Sequence, residues 1–275
     1  MVKSEKFFNL ANFLFPDLFS PEDEVWKPLK NLKVFISEHI QPNLGPLPIG
    51  VLPKTYILYQ GRILDQGFHL DRSGGGNIPK VIIEQEYCPE ASILYAGSIF
   101  LDSEISIGKG TVVEPGALIM GPSIIGDFTE VRQGAYIRGH VMVGHKCVVG
   151  HTTEVKHSIL LGGSKAGHFS YIGDSILGEV NLGAGTKLAN LKVFSSPVTV
   201  MVEGKQYQTG LRKFGAILGD GVETGCNTVT TPGTIVSRNV LTYPNSTLRG
   251  YYPPSTIVKI QQNQQLIERR GEKNA

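Results

Sequence analysis

Five histidines, His140, His145, His151, His157 and His168, fall within about thirty residues of a 275-residue chain. Glu154, Arg132, Lys156 and Tyr171 lie among and beside them. Imidazole accepts a proton at neutral pH and ligates metals, so the cluster fits either a general base or a zinc centre. Spacing separates the two readings. His145, His151 and His157 recur every six residues, whereas His168 sits in GSKAGHFSYIGD (163–174), where that rhythm breaks. Glu154 precedes His168 by fourteen residues, close enough in a coiled chain to orient its ring. Arg132 and Lys156 are cations suited to a phosphate.

The rhythm is a strict six: Ile107, Val113, Ile119, Ile125, Val131, Ile137, Val143, Val149 and Val155, with Leu101 and Leu161 extending it. An α-helix would drift against this period, and an ordinary strand would alternate by two. A six-residue repeat with aliphatic anchors is the mark of a hexapeptide β-helix, in which three hexads close one triangular coil and the anchors fill the prism. Three histidines six apart then fall on three different sides, which argues against a shared metal and leaves them as outward polar residues. The hydratase of the carbonic anhydrase type, which needs a zinc site, is the weakest reading, and no metal residues are assigned.

The expected organisation is mainly β. Residues 1–98 form a small, partly helical module with a hairpin, 99–250 the β-helix, and 251–275 a cap ending in a short helix (257–270). An excursion at 191–215 projects from the prism as VTVMV–EGK–QYQTG. Ser20 reads as the N-cap, and Pro21 as the first residue, of a helix over 20–40, whose apolar side is Trp26, Leu29, Leu32, Phe35, Ile36 and Ile40. A second hairpin turns at Gln60-Gly61. Breaks in a regular frame are where function is expected.

A net charge of +2 gives no field for nucleic acid or an anionic membrane. Three scattered cysteines, Cys88, Cys147 and Cys226, indicate a reducing compartment, hence the cytoplasm. MVKSEKFFNLANFLF has no signal-peptide pattern, and no apolar run is long enough to span a bilayer.

VRQGAYIRG, GHTTEVKHS, GSKAGHFSYIGD and VNLGAGTKLANL resemble, in order, the acetyltransferase domain of the bifunctional N-acetylglucosamine-1-phosphate uridyltransferase/glucosamine-1-phosphate acetyltransferase. NLGAGTKLANL is closer to the archaeal sugar-1-phosphate nucleotidyltransferases with a similar C-terminal domain. The resemblance spans residues 100–250. It implies a left-handed parallel β-helix that forms a homotrimer and moves acetyl from acetyl-CoA, a co-substrate rather than a tightly bound cofactor, to the amine of glucosamine 1-phosphate. His168 would be the general base and Glu154 its partner. Arg132, Lys156, Tyr171, Asn181 and Lys213 would hold the sugar phosphate, and Ala184, Asn190 and Cys226 would line the acetyl-CoA path. A backbone N–H of the Gly-Ala-Gly turn (183–185) would face the oxyanion. The uridyltransferase half, with its Rossmann-like domain and GxGTRM loop, has no counterpart among the first hundred residues.

Three departures stand out. Gln133 replaces a family proline, Ala189-Asn190-Leu191-Lys192 replaces Cys-Asn-Tyr-Asp-Gly, and Cys226 replaces a serine. They motivate a rival reading, a sugar-phosphate-binding or regulatory protein that has lost acyl transfer.

Overall fold

The computed structural model describes residues 2–11, 13–261 and 263–268. It is a mainly β chain built on a parallel β-solenoid of about nine turns. Each coil visits three faces in order. Face 1 runs from Ser92–Leu94 to Ile257–Val258, face 2 from Ile99–Phe100 to Thr247–Leu248, and face 3 from Ile105–Ile107 to Tyr251–Tyr252. Ladder partners on face 1 are eighteen residues apart in the regular coils, as for Val112↔Glu130 and Glu130↔Val148.

The nine hexad anchors point inward and fill the prism, all of them buried. The two proposed extensions do not. Leu101 is 41% exposed and Phe100 takes its place inside, while Leu161 turns outward and Leu160 fills the core. The cause is coil length. From Val148 the step along face 1 shortens to seventeen, Val148↔Lys165, and then sixteen, Lys165↔Asn181. GSKAGHFSYIGD therefore continues the stack with tighter corners instead of interrupting it. Buried hydroxyls support the corners along the stack, each donating to a carbonyl of the next coil, as Thr111 Oγ1 does to Gly126 O (2.7 Å) and Thr129 Oγ1 to Gly144 O (2.9 Å).

The helix, α1, runs Lys27–His39, starting later than expected. Ser20 Oγ instead accepts from Glu22 N (3.2 Å) in a local turn, and Pro28 occupies the first helical turn. Leu29, Leu32 and Ile36 are its buried side. They pack, with Phe7, Phe8 and Trp26, on an outward apolar stripe of face 3 made by Ile124, Met142, Ile159, Ile176, Ile217 and Ile235.

The 191–215 excursion contains an antiparallel hairpin, Thr199–Val202 with Lys205–Gln208. It does not project from the prism. Val198, Val200 and Val202 are buried in the same layer over face 3, and Trp26 meets Tyr207 and Phe214 at ring-centroid distances of 5.8 and 6.2 Å. Burying this alternating apolar side is what returns the hairpin to the prism.

The hairpin around Gln60-Gly61 joins Tyr56–Tyr59 to Arg62–Leu64 and caps the first coil antiparallel to Ser92–Leu94. At the other end, the helix expected over 257–270 is not formed in the described residues. Ile257–Val258 instead adds a strand to face 1 opposite Leu241–Thr242, and 259–261 and 263–268 are irregular. The Gln- and Asn-rich run has no apolar side to dock as a helix, and Leu266 and Ile267 are exposed. Residues 262, 269 and 270 of that expected helix lie outside the described residues. Among the described residues no helix is long and apolar enough to cross a membrane.

Candidate active site

Two corners of the prism collect the sequence-selected residues. Between faces 1 and 2, each coil's carbonyl accepts from the amide one residue further along in the next coil: Phe169 N to His151 O, Gly185 N to His168 O, Asn227 N to Ala184 O and Asn245 N to Cys226 O. His151, His168, Ala184 and Cys226 thus occupy equivalent positions in consecutive coils. Cα pairing of His151 with His168 confirms the stack. The His151 ring accounts for itself through Nδ1 and Gln133 O (3.0 Å). His168 is exposed beside Phe169, whose ring is 5.7 Å away, and its imidazole makes no hydrogen bond among the described residues. In the Gly-Ala-Gly turn the amides of Gly183, Gly185 and Thr186 are all bonded, to Thr224 O, His168 O and Gly183 O. Ala184 N–H has no acceptor among the described groups.

Face 2 follows this corner and carries the polar array. Tyr136, Glu154, Tyr171 and Lys187 form one outward row. Arg138, Lys156 and Gly173 form the row beside it. Arg138 Nη1 donates to Glu154 Oε1 at 2.6 Å, and Lys156 Nζ lies 3.5 Å from Asp174 Oδ2. Asp174 also accepts from Asn190 Nδ2. Tyr171 OH and Asn190 Nδ2 meet above Gly173, where an added Cβ would lie 2.6 Å from each. Burial first, then the carboxylates of Glu154 and Asp174, hold the Tyr171 phenol above its ordinary pKa, so it remains a hydroxyl donor.

The corner between faces 2 and 3 stacks His140, His157 and Asp174, all at positive φ. His157 Nε2 donates to Leu29 O of α1 (3.0 Å), which makes it the protonated nitrogen. Burial pushes the His157 pKa down to about 4, and burial followed by Lys33 lowers that of His140. Around this corner lies a cleft of about 610 Å³ lined by Lys30 and Lys33 of α1, Arg138, Lys156, and Arg212 and Lys213 of the excursion, with Asp174 the one carboxylate of its lining.

The sequence-selected residues separate accordingly. His168, Ala184 and Cys226 share one corner. Glu154, Lys156 and Tyr171 share face 2, and Lys213 of the same chain joins Lys156 in the cleft. Glu154 bonds to Arg138 rather than to His168. Asn190 is at the other corner, with Asp174. Asn181 lies on face 1, opposite Lys165 and Glu223. Arg132 does not stack on Lys156; it follows a face 1 strand and turns back to Glu130 Oε2 at 2.8 Å. The cation stacked next to Lys156 is Arg138, which the eighteen-residue period places there directly. His145 occupies the third corner, 3.4 Å from Asp127 Oδ2, so the three histidines six apart lie at three corners.

The fold is that of a hexapeptide-type parallel solenoid, and the candidate site is face 2, with exposed His168 at one corner and a basic cleft at the other. Parts of the chain are similar in sequence to the following family model and proteins. Residues 119–243 match the family model described as the GMPPB C-terminal domain. The bifunctional sugar-1-phosphate nucleotidylyltransferase/acetyltransferase of Sulfurisphaera tokodaii is 36% identical over 158 residues, 57% of this chain and 38% of that protein. Bifunctional protein GlmU of Methanococcus vannielii is 41% identical over 106 residues, 38% of this chain and 25% of that protein. GlmU of Rippkaea orientalis is 31% identical over 196 residues, 65% of this chain and 39% of that protein. The chain thus aligns with less than half the length of each of these relatives.

Proposed function

We propose that the chain transfers acetyl from acetyl-CoA to the amine of a hexosamine 1-phosphate, specifically glucosamine 1-phosphate, in the supply of UDP-N-acetylglucosamine. The amine must be neutral to attack a thioester. His168 takes its proton as the C–N bond forms, and the carbonyl oxygen becomes an oxyanion facing the free Ala184 N–H. Collapse re-forms the carbonyl, breaks the C–S bond and releases coenzyme A as the thiolate, which takes up a proton. Arg138, Lys156 and Lys213 hold the phosphate, Tyr171 meets the sugar, and acetyl-CoA lies along the corner through Ala184 and Cys226. The unit acts in the cytoplasm as a homotrimer, with residues 99–250 as its catalytic part.

The observation that carries this reading is the stacking of His168, Ala184 and Cys226 on one corner, next to the face that bears Glu154, Tyr171 and the phosphate-binding cations. Its test is acetyl-CoA turnover with glucosamine 1-phosphate. His168→Ala is expected to lower kcat by about 10²–10⁴-fold with the sugar phosphate still bound. A wild-type chain that binds glucosamine 1-phosphate but never acetylates it overturns the reading.

A binding module without acyl transfer is the second reading. It is favoured by Asn190, which is tied to Asp174 away from the acetyl-CoA corner. Calorimetry with acetyl-CoA separates them, because only the enzyme requires that affinity.

A further inference from the structure

We infer that α1 supplies the second wall of the phosphate site: Lys30 and Lys33 close over the phosphate of the hexosamine substrate, opposite Arg138 and Lys156 and beside Arg212 and Lys213. The inference rests on the proposed use of this cleft for a sugar phosphate. It adds residues from a segment that precedes the matched 119–243 region.

Lys30 and Lys33 are three apart and share one side of α1. The neighbouring side, Leu29, Leu32 and Ile36, is anchored on face 3, which turns the two lysines toward the corner of His140 and His157. The bond from His157 Nε2 to Leu29 O fixes that orientation. Lys30 Nζ reaches the excursion as well, since a Cβ on Gly210 would lie 2.9 Å from it. Three chain segments, far apart in sequence, thus line one cleft with six cations, against Asp174 in the lining and Glu154 bonded to Arg138.

Folding alone does not favour this arrangement. The first turn of α1 contains no acid, and Lys27 and Lys30 lie in that turn, where the helix dipole already repels cations. His140 and His157 are both held toward the neutral form, burial first and Lys33 among the causes, so the cleft resists further positive charge. Arg138 is paired with Glu154 and Lys156 with Asp174, whereas Lys30, Lys33, Arg212 and Lys213 have no carboxylate partner among the described residues. One guanidinium fork and three ammonium groups without a carboxylate match the several acceptor oxygens of a phosphate monoester dianion.

The test is calorimetric binding of glucosamine 1-phosphate, unphosphorylated glucosamine and coenzyme A to wild type and to Lys30→Ala/Lys33→Ala. Both lysines are exposed on α1, so the fold is retained. The double variant is expected to weaken glucosamine 1-phosphate binding about 10–100-fold and to leave glucosamine unchanged. Log affinity should fall less steeply with salt, and Lys30→Arg/Lys33→Arg should recover most of the loss. In turnover, KM should rise far more than kcat falls. Unchanged glucosamine 1-phosphate affinity, or weakening confined to coenzyme A, overturns the inference. Binding is read without acetyl transfer, so the two readings fail separately. A chain that binds the sugar phosphate through these lysines but does not acetylate sinks only the acetyltransferase reading. A chain that acetylates with the same KM in both forms sinks only this one.

Discussion

Arg138 Nη1 donates to Glu154 Oε1 at 2.6 Å between adjacent strands of face 2, while Arg132 is folded back on Glu130, two residues before it. Two arginines six residues apart therefore have unlike surroundings. Replacing Arg138 by Ala is expected to raise KM for glucosamine 1-phosphate about 10–100-fold, and Arg132→Ala to change it less than about threefold. Both ion pairs are partly exposed, so neither variant should lose more than about 1 kcal/mol of stability. Steady-state kinetics and urea melts check both halves. Glu154→Gln extends the comparison: a KM effect places Glu154 with Arg138, and a shifted pH–rate profile places it with His168.

Cys226 is exposed, whereas Cys88 and Cys147 are buried, and burial pushes the Cys147 thiol up to about 12. The thiolate is the reactive form, so Cys147 is inert on two counts. A native-state thiol titration should count one rapidly reacting cysteine, abolished in Cys226→Ser. Acetyl-CoA should slow that reaction at least about tenfold if it occupies the Ala184–Cys226 corner. Equal labelling rates with and without acetyl-CoA would remove Cys226 from its path.

His157 ties stability to pH. Its folded pKa is about 4 against an ordinary 6.5, so between these values the unfolded chain binds more protons than the folded one. Stability is therefore complete above pH 6.5, falls as the pH drops toward 4, and levels off below. The loss from this residue is on the order of 3 kcal/mol. His140 shifts in the same direction, and Lys33, Lys156 and Asp174 all act on the same corner. Chemical denaturation at a series of pH values should show a shallower dependence in His157→Gln.

Gly173 supports the tyrosine–asparagine pair by having no side chain. A methyl there would lie 2.6 Å from both Tyr171 OH and Asn190 Nδ2, and one of them must move. Gly173→Ala should cost about 1–3 kcal/mol in unfolding and raise KM for the sugar phosphate, with kcat less affected. A variant as stable and active as wild type would show that neither position matters.

The prism was legible because its cause is local and periodic. Every anchor from Ile107 to Val155 has to be apolar for a coil to close, and all nine do fill the core. Leu101 and Leu161 depart from the period because coil length changes by a residue at both ends, and a fixed six cannot register that. The C-terminal strand is hidden for a related reason, since Ile257 and Val258 look alike to a strand and to a helix until the preceding coil offers a partner. In the site, the eighteen-residue period puts Arg138, not Arg132, next to Lys156, and only the period makes that legible. The contribution of α1 left no such trace. It depends on which side of the prism a distant segment covers, and that follows from the outward apolar stripe of face 3, whose residues alternate with the anchors and carry no label of their own.

Covering face 3 with residues from the chain's beginning has a consequence for the order of folding. Each coil needs only the coil before it, so the solenoid can grow as the chain emerges from the ribosome. The opening segment cannot follow that schedule. Asn9 N bonds Asp220 Oδ2 across 211 positions of sequence, and Asp220 N reaches back to Phe7 O. The stripe it covers extends from Ile124 to Ile235. Residues 7–9 are thus synthesised well before the surface they pack on and are among the last to settle, and Phe7 and Phe8 stay exposed to water until that surface has been made.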